Sequence, residues 1–216
     1  MKYTRSQLFI DGRWHTPSTS DRITVISPTT EEPVGSAPDS TPADVDAAVS
    51  AARRALRAPE WSALEPAERA DLLRRFADAL DRRRKDTAAI VTDENGMPAA
   101  ISLAAEGSGP VATLRYYADL TEKTPVETPR IAANGRSTTI VRREPIGVVA
   151  AIIPWNFPQS LTMFKLAPAL ASGSTVVLKP APETVLDAFQ LADAAEEAGL
   201  PGGVLNIVTG GREIGA

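Results

Sequence analysis

The sequence predicts an α/β fold built on an open, parallel, doubly wound sheet, and three observations carry that expectation. Runs rich in β-branched residues recur at Ile146–Ile153, Ser174–Leu178 and Val204–Val208. Segments of helical character separate them, and such short strand-helix-strand connections place successive strands side by side and parallel. Ahead of this alternation, residues 41 to 120 carry apolar side chains largely at helical spacing, so covering helices are expected there.

The elements follow in chain order. Thr41 can cap a helix with Pro42 in its first turn, and Val45, Ala48, Val49, Ala52 and Leu56 then fall on one stripe. A second helix starts near Pro66, with Leu72, Leu73, Phe76 and Leu80 inward and Arg74, Arg75, Asp78 and Arg82 mainly outward. It is expected to run to Glu94, where Asn95-Gly96 ends it and Pro98 prevents continuation. A third spans Ala99 to Leu120 with an interruption at Gly107–Pro110, and none of these helices carries an evident catalytic group. Thr124–Arg143 is rich in Pro, Thr and Arg, contains the turn pair Asn134-Gly135, and reads as an extended hairpin. After the first long strand, Lys165–Leu170 is helix-like, Thr184–Ala198 is helical, and Gly199 is its stop.

The first strand has the most specific ending. Pro154 lacks the N–H needed to continue a ladder, and Pro158 suits the first turn of a helix. Val148, Val149, Ile152 and Ile153 favour a strand covered on both faces. Between the prolines sits Asn156, an amide with two donors and an acceptor, beside the Trp155 indole, which can wall off water. Asn156 either ties down a turn or serves a ligand, since ligands bind at the carboxyl ends of strands in open α/β sheets.

Composition narrows the function. The chain has 216 residues, 43% of them hydrophobic, and a net charge of −4, enough to bury a sizeable core. Its 23 basic residues are outnumbered by 27 acidic ones, and the densest basic cluster, Arg82–Lys85, lies between Asp81 and Asp86, which argues against nucleic acid. No apolar stretch approaches a membrane span, and the opening MKYTRSQ has no apolar signal core, so a cytoplasmic protein is expected. His15 is the only histidine and there is no cysteine, so no metal site is expected; Glu31-Glu32 suits a solvated turn, and no GxSxG elbow is present.

The runs IIPWNFP, LKPAPET and GLPGGVLNIVTGG, in that order and spacing, resemble the nucleotide-binding half of the aldehyde dehydrogenase superfamily. LFIDGRW (Leu8–Trp14) and ISPTTEEPVGSAP (Ile26–Pro38) are similar to that family's opening strands, so the resemblance covers nearly the whole chain. It implies a Rossmann-like cofactor-binding fold with amino-terminal strands and helices over residues 1–123, an oligomerisation hairpin over 124–145 and a cofactor-binding core over 146–216. In the family such a hairpin joins the sheet of a neighbouring subunit, giving homo-oligomers; a solvent-facing linker hairpin is the alternative reading.

The resemblance also implies chemistry. Aldehyde dehydrogenases attack the aldehyde carbon with a cysteine thiolate, pass hydride to the nicotinamide and hydrolyse the resulting thioester. This sequence has no cysteine. In family members the catalytic cysteine and the general-base glutamate lie beyond the third strand, so the chain is expected to be a fragment, inactive alone and without the carboxy-terminal catalytic domain. Asn156 would donate its amide N–H to the oxygen that becomes negative when the thiolate adds. No GxGxxG follows the first strand. The cofactor is expected instead across the strand ends, with the backbone of Ile152, Ile153, Pro154 and Trp155 near the nicotinamide half and Lys179 at the adenosine ribose. Gly211 and Gly215, with Gly210, would let adenine or phosphate approach closely, though for Gly215 a packing role is an equal alternative.

One departure bears on the cofactor. Many NAD-using members carry a glutamate three residues after the lysine, where this chain has Pro182, with Glu183 one place later. A carboxylate would repel a 2′-phosphate, and its displacement weakens strict preference, so NAD is expected with NADP as the alternative. Phe157, Met163 and Phe164 are either the entrance of an aldehyde tunnel or core residues. Three functions remain open: the cofactor-binding part of an aldehyde-oxidising enzyme, a non-catalytic dinucleotide-binding module, and an interaction protein derived from the fold.

Overall fold

The chain begins with five short strands, in a computed structural model that describes residues 1–216. These are β1 (Tyr3–Thr4), β2 (Leu8–Ile10), β3 (Arg13–His15), β4 (Arg22–Ile26) and β5 (Pro33–Pro38). Asp11 and Gly12 turn β2 into β3 with φ of 60° and 71°, the left-handed pair that a two-residue hairpin turn requires. β1, β5 and β4 form a small separate sheet in that order.

Helix α1 (Pro42–Ala55) starts where Thr41 and Pro42 place it, and the Asp44 carboxylate reaches back to accept the Thr41 N–H at 2.8 Å. One turn, α2 (Pro59–Ser62), buries Trp61, whose indole N–H donates to the Gly173 carbonyl at 2.8 Å. The long α3 (Pro66–Asn95) buries Leu72, Leu73, Phe76 and Leu80 and stops at Gly96, φ 78°. The interruption expected at Gly107–Pro110 takes the form of a π-helical segment rather than a break in the helix. Helix α4 (Ala99–Ile101) runs into a π-helical segment, Ser102–Ser108, and then α5 (Gly109–Lys123). The wider turn absorbs the strain of Pro110, which has no N–H to give, and Gly107 lies so close to α3 that a Cβ there would sit 2.6 Å from the Arg84 carbonyl oxygen.

Next come β6 (Glu127–Ile131) and β7 (Thr138–Arg142), which pair only with each other around Asn134-Gly135. The alternating core follows as β8 (Val148–Ile152), α6 (Pro158–Ala171), β9 (Thr175–Lys179), α7 (Ala188–Ala198), β10 (Leu205–Ile207) and α8 (Arg212–Gly215). Helix α7 begins later than expected from Thr184, because Pro182–Thr184 forms a 3₁₀ turn first.

β8, β9 and β10 are parallel, and β2 and β3 extend the sheet antiparallel, giving the order β3-β2-β10-β9-β8. Consecutive parallel strands lie side by side, so right-handed crossovers put α6 and α7 on one face. Val176, Leu178, Leu205, Ile207 and Phe9 turn toward that face and join a buried cluster with α3, α5, α6 and α7. Val177, Leu8 and Ile10 point the other way, onto Ala48, Ala51 and Ala52 of α1. β8 differs from expectation: it is an edge strand, and Ala150 and Ile152 are exposed rather than covered on both faces. No helix is long and apolar enough to cross a membrane.

Phe76 is fully buried in the larger cluster. Phe76→Ala is expected to cost about 3–5 kcal/mol of folding stability, read as a lower urea midpoint with an unchanged slope.

Candidate functional site

Because β8, β9 and β10 run in one direction, their carboxyl ends meet along one edge. The last ladder bond there is Ile153 N–H to the Lys179 carbonyl at 3.1 Å, and at Pro154 pairing stops. Ile153 turns its side chain into the core, whereas Ile152 faces out, 50% exposed.

The loop beyond is held through its backbone. The Trp155 carbonyl accepts the Asn95 side-chain N–H at 2.8 Å and, more weakly, the Thr184 hydroxyl at 3.5 Å. At the far end, Glu106 Oε2 accepts the Gln159 N–H at 2.7 Å and the Ser160 N–H at 3.3 Å, capping α6. The Ser160 hydroxyl donates to the Ala105 carbonyl at 2.7 Å. Asn156 is exposed, so the tethers of this turn run through Trp155, Gln159 and Ser160 rather than the Asn156 amide. Trp155 is 57% exposed. Of the three apolar residues with two readings, Met163 is buried in the core, and Phe157 and Phe164 are exposed.

Lys179 closes β9 with its ammonium donating to the Gly210 carbonyl at 2.8 Å and the Pro180 carbonyl at 3.1 Å. Burial pulls its pKa below the usual lysine value, a shift opposed by the carboxylates of Glu183 and Asp39. Glu183 itself is exposed on the 3₁₀ turn. Gly210 has φ 147°, and a Cβ there would lie 2.6 Å from Ile214 Cγ1. A Cβ at Gly215 would lie 3.0 Å from Lys179 Cε, a packing contact, while one at Gly211 would meet nothing. Ile152, Ile153, Lys179 and the Gly210–Gly215 segment therefore gather at the strand ends, with Pro154, Trp155 and Asn156 beside them.

Behind this edge lies a set of groups that the sequence reading missed. Glu94, from α3, accepts the Leu186 N–H at 2.9 Å and the Asp187 N–H at 3.1 Å. The Gln159 side chain donates to the Asp187 carbonyl at 2.8 Å. Glu94, Glu106 and Asp187 are all buried, and Glu106 Oε1 and Asp187 Oδ1 have no hydrogen-bond partner. Burial pushes all three carboxyls up: Glu94 well above its ordinary value with the Asp187 charge adding to the shift, and Asp187 to about 7. A signal for Glu94 existed, since it falls in register with buried Thr87 and Val91 on α3.

A carboxyl whose pKa is raised on folding binds its proton more tightly in the native state. Its contribution to stability is therefore complete below the ordinary carboxylate range and falls as pH rises toward the folded value. For Asp187 that window runs from about 4 to about 7. Asp187→Asn is expected to flatten the loss of stability between these limits and to raise stability at pH 8 by on the order of 2 kcal/mol, with Glu94 and Glu106 leaving a residual slope. Melting curves of the two proteins at pH 5 and pH 8 check the sign.

The sequence pattern of the Aldehyde dehydrogenase family matches residues 14–216. The geranial dehydrogenase of Castellaniella defragrans is 49% identical over 216 residues, covering 100% of this chain and 45% of that protein. An NADP/NAD-dependent aldehyde dehydrogenase of Escherichia coli is 38% identical over 211 residues, covering 97% and 42%. Among solved structures, a Mycobacterium tuberculosis aldehyde dehydrogenase complexed with NAD+ superposes with a TM-score of 0.93 at 42% identity, over 100% of this chain and 44% of that one. The chain thus spans less than half the length of these relatives.

Proposed function

The chain belongs to the aldehyde dehydrogenase family, and from that premise we propose that it supplies the cofactor-binding part of an NAD(P)-dependent enzyme that oxidises an aldehyde to a carboxylic acid. The observation that carries this reading is the convergence of Lys179 and the Pro154–Phe157 loop at one edge of the parallel strands, linked by the Ile153 to Lys179 backbone bond of 3.1 Å.

The edge fits a dinucleotide. The Lys179 ammonium is held only by two backbone carbonyls, which it can exchange for ribose hydroxyls. Gly211 offers exposed backbone without a side chain, and Gly215 packs against the lysine stem. The backbone of Ile152 to Trp155 lies at the end of β8, where the nicotinamide half would rest. When bound, the nicotinamide accepts the hydride that leaves the aldehyde carbon. Asn156, free to point its amide outward, donates to the carbonyl oxygen as charge develops on it, a contact worth on the order of 3–4 kcal/mol in a water-excluded site. With no cysteine among its residues, this chain does not supply the thiolate, which we assign together with the general base to polypeptide outside these 216 residues. The 216 residues alone are accordingly expected to be inactive.

Assembly into a homo-oligomer belongs to the same reading. The β6–β7 hairpin pairs with no other strand, and Ile131 and Ile140 on it are 82% and 54% exposed. An unpaired edge that carries exposed isoleucines among its polar residues is suited to a neighbouring subunit's sheet.

Titration of the chain with NAD and NADP, followed by tryptophan fluorescence, tests the cofactor site. Trp61 is fully buried, Trp14 is half-buried against Phe9, and Trp155 is 57% exposed at the site. Saturable quenching that vanishes in Trp155→Phe is expected; a folded chain with no response to either cofactor contradicts the reading. Glu183→Gln, which removes a negative charge near Lys179, is expected to strengthen NADP relative to NAD by about threefold or more.

A further inference from the structure

We propose that Asn95 and Glu106 are positioning residues that fix Asn156 from the two sides of its loop, a role that rests on the reading of Asn156 as the oxyanion donor. Asn156 is exposed, and the bonds that hold its loop fall on its neighbours. One residue before it, the Trp155 carbonyl takes the Asn95 amide at 2.8 Å. Three and four residues after it, the Gln159 and Ser160 N–H groups converge on one carboxylate oxygen of Glu106. The donor is thereby left free to meet a ligand while the backbone that carries it is clamped. That division matches what a preorganised donor requires, because an amide that must reorient during reaction loses part of its benefit.

The two anchors are themselves rigidly placed. Asn95 is the last residue of α3, next to Gly96, where a Cβ would come within 2.8 Å of the Pro28 ring. Its other neighbour, Glu94, grips the Leu186 and Asp187 N–H groups, so the helix end cannot withdraw without breaking buried bonds. Glu106 sits in the π-helical segment, followed by Gly107, whose missing side chain allows contact with the α3 backbone. A π-turn shifts the side chains that follow it and recurs at functional sites. Here it brings a carboxylate to the amino terminus of α6, where the helix dipole and two unpaired N–H groups favour it. Glu106 pays for this with one buried oxygen that has no partner. A residue serving packing alone would be better replaced by an apolar one.

The test uses the 216-residue chain without cofactor, read by backbone ¹⁵N relaxation and amide exchange. In the unmodified chain, Trp155 and Asn156 should show order parameters near about 0.85. Asn95→Ala and the isosteric Asn95→Asp, which keeps the shape and loses the donor, should both drop them below about 0.6, with the global melting temperature nearly unchanged. Glu106→Ala should speed exchange of the Gln159 and Ser160 amides at least about tenfold, whereas Glu106→Gln, which retains an accepting oxygen, should hold them within about threefold. Unchanged loop order in both Asn95 variants, or Gln159 and Ser160 protection that survives Glu106→Ala, overturns the proposal. If Glu106→Ala does not fold, the Asn95 pair decides alone. The readings need no cofactor, so a chain that shows the loop ordered by these residues and yet binds neither NAD nor NADP retains the clamp and refutes the cofactor site.

Discussion

The hydrogen bond from the Ile153 N–H to the Lys179 carbonyl, 3.1 Å long, is the contact on which the site depends. It is the final ladder bond between β8 and β9, set by a parallel register that pairs Ile152 with Lys179. Parallel strands deliver their carboxyl ends to the same edge, so one bond fixes the start of the asparagine loop against the residue that carries the lysine. A slip of β8 by one residue would turn Ala151 and Ile153 out of the core and bring Ala150 and Ile152 in. The burial of Leu178, Ile153 and Val176 on one face therefore fixes the geometry of the candidate edge as well as the sheet.

Around that edge the protein accepts buried carboxyls that it could have done without if stability were all that mattered. Glu94, Glu106 and Asp187 sit out of water, with two oxygens unpartnered. Each such group costs free energy. What Glu94 and Glu106 return is directional: both accept N–H groups at or just before helix starts, Leu186 and Asp187 ahead of α7, Gln159 and Ser160 in α6. Both helices lead out of the loops that line the edge. Apolar side chains in the same places would bury as well but would leave four N–H groups without acceptors, and the loops would lose their anchorage.

What was legible in the sequence was local. Thr41 and Pro42 mark the start of α1, Gly96 the end of α3 and Gly199 the end of α7, because a cap or a left-handed stop is decided by a few neighbouring residues. The three parallel strands were legible from β-branched runs, and the asparagine loop from its flanking prolines. The carboxyl clamps were not, since Glu106 and Gln159 are separated by 53 positions and Glu94 and Leu186 by 92. No spacing rule spans such distances. The π-helical turn was hidden for a different reason: Gly107, Gly109 and Pro110 are residues that ordinarily end helices, and only the close approach to Arg84 shows why a glycine is needed there. The joining of β2 to β10 depended likewise on tertiary contact, with Gly12 passing 2.8 Å from Gly202 measured from a would-be Cβ.

The exposure of the asparagine and of the side chains around it has one physical consequence for function. Ile152, Trp155, Phe157 and Phe164 are 50%, 57%, 38% and 61% exposed, an apolar surround for a single polar amide. In water such an amide is a weak donor, because water competes for it and screens the charge it would stabilise. Covered by cofactor and by the remainder of the proposed enzyme, the same apolar side chains would exclude that water, and the amide would act in a low-dielectric site. In the proposed enzyme, burial of these residues and activation of Asn156 would then be one event. The proposed clamp at Asn95 and Glu106 would matter most at that moment, since a donor already held in place can bind developing charge without first having to become ordered.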